Sequence, residues 1–128
     1  SIRVVSEIKT PRYPHETSTG MTLLAAKPDD YIQEYLRVVP LKRKTPQGYS
    51  HPDQILAALE KIREQGYSLN DQTYEVGLVS IAVPIYNSAH SVVAAISVSG
   101  LDTRLKPRLE ELLAALRSAA EDASRLPF

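Results

Sequence analysis

The chain has no cysteine and no tryptophan, and only one methionine and one phenylalanine. Without thiols there is no disulfide, no thiolate metal site and no cysteine nucleophile. It also has no excess of either charge, since Lys+Arg and Asp+Glu both number 15. A chain that grips nucleic acid itself needs cations crowded on one face, so this balance argues against direct DNA or RNA contact. Apolar runs stay far below the ~18 residues that cross a bilayer, and Ser1 opens no signal-peptide pattern. The expectation is a cytoplasmic chain, off the membrane, with neither metal nor cofactor.

What is present suits one globular domain. A chain of 128 residues can bury a modest core, and 43% apolar with 23% charged residues places it among ordinary folded domains. Residues 2–8 alternate and are rich in β-branched types, which predicts a strand. A proline-bearing loop follows at Thr10. Thr17 or Ser18 then caps a helix with Met21, Leu24 and Ala25 on one face. Pro28 and two acids open a second helix, with Ile32, Tyr35, Leu36 and Val39 inward. After a basic loop from Pro40 to Tyr49, Ser50 caps a third helix with the stripe Ile55, Leu59 and Ile62, closed by Gly66. A short extended piece from Tyr67 to Leu69 leads through a polar link to a long hairpin. A last amphipathic helix spans Asp102 to Ser124, with Leu105, Leu109, Leu112, Leu113, Leu116 and Ala120 at helical spacing. The fold class expected is α+β around an antiparallel sheet.

The hairpin SIAVPIYNSAHSVVAAISVSG, residues 80–100, poses the functional question. With a four-residue turn at Asn87–His90, Tyr86 pairs with Ser91, Pro84 with Val93, Ala82 with Ala95 and Ser80 with Ser97. Alternation puts Ser80, Ala82 and Pro84 on one face with Ala95, Ser97 and Ser99. The other face carries Val79, Ile81, Val83 and Ile85 against Val92, Ala94, Ile96 and Val98, a bulky surface suited to a helix layer. The small-residue face either lets a helix sit close, its hydroxyls bonded to nearby carbonyls, or lines a pocket for a small molecule. The stretch HETSTGMTLLAA, residues 15–26, adds a helix start at Ser18, Thr19 and Gly20, where free N–H groups favour an anion and glycine permits close approach. An ordinary helix cap is the plainer account of that start.

Other chemistries find little support. There is no Gly-x-Ser-x-Gly elbow, and the Ser-x-x-Lys match at Ser6 lies in a strand pattern without context, so a serine hydrolase is the weakest reading. A purely structural oligomerisation module remains open, because the last helix and the Tyr31/Tyr35 helix have apolar surface to spare. The basic run after Leu41 reads as solvated charge. His15, His51 and His90 are scattered and read as surface or capping residues, and Leu23 and Leu24 as core.

Three stretches together, residues 15–26, IREQGYSLNDQTYEVGLVSIAVPIYN at 62–87 and VAAISVSG at 93–100, resemble the C-terminal effector-binding domain of IclR-type bacterial transcription regulators. The likeness runs from about Arg3 to the last helix. It implies a GAF-like α+β fold and a signal-sensing domain, residues 1–128, cut from a longer regulator and truncated at the N-terminal edge of its sheet. Its winged helix-turn-helix would lie outside this chain, so that DNA is met only through that missing part. The family pattern implies a homodimer or homotetramer and a small organic acid, possibly aromatic, as effector. Carried over by position, the contacts fall on Ser18, Thr19 and Gly20, on Asn70 beside Asp71, and on Ser80, Ser97 and Ser99. Family members often have a cysteine where Ser80 stands, some of them with a zinc ion, so no structural zinc is expected here. Met21 replaces a usual lysine and Asn70 a usual acid, which implies an effector differing in charge or size from a small keto acid.

Overall fold

The computed structural model describes residues 12–127. The strand expected at residues 2–8 and the Ser6 motif lie outside them. Helix α1, Ser18–Ala25, begins at Thr17, whose side chain accepts the Gly20 N–H at 2.9 Å. Helix α2, Asp29–Val38, carries both acids in its first turn and buries Ile32 and Leu36. Helix α3, Pro52–Gln65, starts one residue later than expected: His51 is the N-cap, and Gln54 Oε1 reaches back to accept the N–H groups of Ser50 and His51 at 2.8 and 3.1 Å. Gly66 ends it in the left-handed region at φ 81°, where a Cβ would be strained. Met21, Leu24, Ile32, Leu36, Ile55, Leu59 and Ile62 form one core among these three helices.

Strands β1, Ser68–Asp71, β2, Leu78–Tyr86, and β3, Val92–Leu101, make an antiparallel sheet in the order β1-β2-β3. The expected hairpin register is wrong by two residues. Ser80 pairs with Ser99, Ala82 with Ser97 and Pro84 with Ala95. One residue of the slip comes from the turn, which runs from Asn87 to Ser91: Asn87 Oδ1 accepts the Ser91 N–H, and His90 takes φ 62°. The other comes from a bulge, since Ile85 faces Ala94 while Tyr86 faces Val92, leaving Val93 over. A slip of two keeps the faces of Ser80, Ala82, Pro84, Ala95, Ser97 and Ser99 as read. The bulge moves Val92 to the Tyr86 side, against expectation.

The two faces have different covers. Ile81, Val83 and Ile85, with Ala94, Ile96 and Val98, pack on helix α5, Leu109–Ala123, through Leu116 and Ala120. The expected single last helix is broken at Pro107 into α4, Asp102–Leu105, a 3-10 turn at Lys106–Arg108, and α5. Helix α1 lies against all three strands and against α3. The sheet is thus held between α1 and α5, with α2 and α3 stacked beyond α1. Among the described residues no helix is long and apolar enough to cross a membrane.

Candidate functional site

A cleft of about 160 Å³ opens between the first turn of α1 and the serine-bearing sheet face. Ser18 and Thr19 line it from α1, Asn70 from β1, Ser80 from β2, and Ser97 and Ser99 from β3. These six residues, drawn from four elements, meet because α1 crosses the sheet where its side chains are small. The cleft is open toward β3, where Ser97 and Ser99 are exposed, while Ser18 is buried.

The first turn of helix α1, which lines this space, has free amide hydrogens. Thr17 takes the Gly20 N–H on its Oγ1 and the Met21 N–H on its carbonyl, and the N–H groups of Ser18 and Thr19 meet no acceptor among the described residues. With the positive end of the helix dipole, they make a natural seat for an anion.

Two residues of the expected set lie outside the lining. A Cβ on Gly20 would sit 2.2 Å from the Pro14 carbonyl oxygen, so glycine there serves the packing of α1 on the Pro14–Glu16 turn rather than approach to a ligand. Asp71 follows Asn70 along β1, and alternation turns it away from the cleft, where Lys106 Nζ lies 3.0 Å from its carboxylate. Burial pushes its carboxyl up, but hydrogen bonds from Gln72 and Lys106 outweigh this and hold it below the ordinary aspartate value. Asn70 lines the cleft with its amide already engaged: Nδ2 donates to the Glu16 carbonyl at 3.0 Å, and Oδ1 accepts from the Thr73 N–H at 3.1 Å and from the Thr73 hydroxyl.

The rest of the lining was not anticipated from sequence. Arg12, Glu16, Thr17, Tyr74 and Leu78 complete it. Glu16 is buried, its Oε1 accepting the Tyr13 N–H at 2.9 Å and its Oε2 lying 2.5 Å from Lys44 Nζ. Burial raises its pKa, yet the hydrogen bonds from Lys44 and Tyr13 outweigh it and hold the carboxyl below the ordinary glutamate value. The same contact raises Lys44. Lys44 Nζ and the Arg12 guanidinium carbon lie 4.3 and 4.1 Å from the centroid of the Tyr74 ring. The basic loop is therefore not merely solvated: Lys44 braces the cleft wall, and Thr45 Oγ1 donates to the Gln72 carbonyl. Glu16, Thr17, Tyr74 and Leu78 stand inside the stretches that carry the family likeness, so their neighbourhood was signalled. Nothing in the sequence pointed to Arg12.

His15 also departs from expectation, being 4% exposed. The Tyr35 hydroxyl lies 2.7 Å from its Nδ1 and accepts its backbone N–H at 3.2 Å, while burial lowers its pKa. His51 does cap α3, and His90 is exposed and stacked on Tyr86. Leu24 is core but Leu23 is exposed. Among the described residues no group of three or more His, Cys, Asp or Glu could hold a metal ion.

Comparison with known proteins follows the same lines. A family model described as the bacterial transcriptional regulator IclR C-terminal domain matches residues 1–125. The HTH-type transcriptional regulator KdgR of Escherichia coli is 33% identical over 125 residues, 97% of this chain and 48% of its own length. The crystal structure of Thermotoga maritima IclR superposes with a TM-score of 0.83 at 34% identity, covering 98% of this chain and 51% of that one. The inducer-binding domain of a double mutant of the PobR transcription factor from Acinetobacter, in complex with 3-hydroxybenzoic acid, gives 0.82 at 26% identity, covering 94% and 75%. The chain spans less than half the length of curated relatives such as these regulators.

Proposed function

Because this chain belongs to the IclR family of bacterial transcriptional regulators, through their C-terminal domain, we propose that it is a cytoplasmic sensor whose cleft binds a small organic acid. It is a regulator's domain and not an enzyme, as its relatives are named for transcriptional control. The observation that carries the ligand reading is the convergence in one cleft of the Ser18 and Thr19 amides, the Arg12 guanidinium and the hydroxyls of Ser80, Ser97 and Ser99.

The acid's carboxylate meets the two amides and Arg12, and its remaining polar atoms meet the serine hydroxyls. At about 160 Å³ the cleft suits a ligand of one ring or a short chain; a cavity of ~150 Å³ is enough for benzene. Its lining is largely polar, which favours an oxygenated acid over a bare hydrocarbon one. The 3-hydroxybenzoic acid bound by the PobR domain supports this class and size. Binding would bias the arrangement of a homodimer or homotetramer, and so the DNA-binding domains outside this chain, by as much as the acid's affinity differs between the two arrangements.

Isothermal titration against a panel of small organic acids tests the reading. Ser80→Val with Ser97→Val should weaken each hit roughly 10- to 100-fold, the loss of two net hydrogen bonds. A double variant that binds every hit as tightly as the unsubstituted chain would show the serine floor to be wrongly assigned.

A further inference from the structure

Glu16 poses a difficulty for a cleft that admits an acid, because its own carboxylate lines the wall. We propose that Lys44, acting through Glu16, sets the charge of the ligand the cleft accepts, making it selective for a single negative charge. The inference rests on the reading above and adds to it a positioning residue outside the lining.

Three observations carry it. Both Glu16 oxygens are engaged, one by the Tyr13 N–H and the other by Lys44, so the side chain is held in one orientation although only 7% exposed. Lys44 comes from the loop after Leu41 and is steadied beside the Tyr74 ring, whose other cationic neighbour is Arg12. Arg12 has no carboxylate partner among the described residues. The wall therefore holds two cations and one anion, and one incoming carboxylate brings it to neutrality. His15, the remaining basic neighbour of Glu16, is kept toward its neutral form by burial and does not alter this balance.

Charge complementarity in a partly enclosed site decides between ligands of equal shape more than it adds raw affinity. Removing Lys44 leaves Glu16 uncompensated against the acid, whereas removing both charges restores the wall's net positive charge. A ligand's neutral carboxamide twin should respond to neither change.

The test titrates 3-hydroxybenzoate and 3-hydroxybenzamide into the unsubstituted chain, Lys44→Met, and the double variant Glu16→Gln with Lys44→Met, with thermal melts confirming that each is folded. Lys44→Met should weaken the acid roughly 10-fold or more and leave the amide within about 2-fold, and the double variant should recover most of the acid's affinity. Equal loss of acid and amide in Lys44→Met, or a double variant no better than the single one, overturns the inference, because Lys44 then only props the loop. Should the acid bind, weaken with the Ser80/Ser97 pair and ignore Lys44, this inference alone falls. Should the unsubstituted chain bind neither this acid nor any other in the panel, the ligand reading falls and takes the inference with it.

Discussion

Replacing Gly20 by alanine sets two effects of opposite sign against each other. Gly20 is the third residue of α1, and alanine there should stabilise the helix by about 1 kcal/mol through propensity. The added Cβ, however, would lie 2.2 Å from the Pro14 carbonyl oxygen, 2.6 Å from its Cα and 2.7 Å from its carbonyl carbon. All three are backbone atoms, so no side chain can swing aside. Reaching an ordinary contact at 3.4 Å requires 3.4 − 2.2, or about 1.2 Å, of movement between α1 and the turn. That turn is tied to Tyr35 through His15, to Lys44 through Glu16, and to Asn70 through the Glu16 carbonyl. Overpacking of backbone against such a braced segment belongs in the upper part of the usual range, about 2–3 kcal/mol, which exceeds the propensity gain. Gly20→Ala should therefore lose about 1–2 kcal/mol net, a fall in Tm of roughly 3–10 °C for a domain of this size. Gly77→Ala is the control: at φ 87° with no atom within 4 Å, it pays only the left-handed penalty, about 1 kcal/mol. Thermal melts and acid titrations on both variants check the argument. Gly20 lies outside the cleft lining, so any loss of acid affinity in Gly20→Ala comes through displacement of the neighbouring Ser18 and Thr19 on α1 or of Arg12 and Glu16 on the turn it presses against. A Gly20→Ala protein with an unchanged or higher Tm would refute the steric reasoning.

Asn70→Ala should destabilise by roughly 1–3 kcal/mol in urea titration, since it strands the Glu16 carbonyl and the Thr73 donors. Asp71→Asn, next in sequence but half-exposed against Lys106, should change stability by less than about 1 kcal/mol and leave acid binding unchanged. His15, whose folded pKa is lowered chiefly by burial, takes up its proton in the unfolded chain first as pH falls below the usual histidine value. Stability should therefore decline as pH falls below the ordinary histidine value of about 6.5, and His15→Gln should flatten Tm against pH there. A slope unchanged by His15→Gln would remove His15 as its source.

Much of the architecture was legible because it depends on local rules. Caps, Gly66 and apolar stripes located α1 to α3, and alternation sorted the hairpin's residues other than Val92 onto their faces even though the pairing was read two residues out. That error has a local origin that composition conceals: a five-residue turn with His90 at positive φ, followed by a bulge, has no glycine to announce it. The break at Pro107 could have been read, since proline removes a helical donor, but the leucine spacing continues across it.

Of the site, the polar positions on α1 and the sheet could be read from alternation, capping and family resemblance, and the structure brings six of the eight together. Asp71 shares a strand with Asn70 but not a face, and Gly20 proved to be a contact with Pro14. The sequence by itself determined which side chains share a helix or strand face, since that depends only on helical and strand periods. Tertiary structure alone decided the charge of the cleft, because Arg12 and Glu16 before α1, Lys44 after α2 and Tyr74 after β1 meet only once the chain has folded. Contacts between segments far apart in sequence leave no period to read.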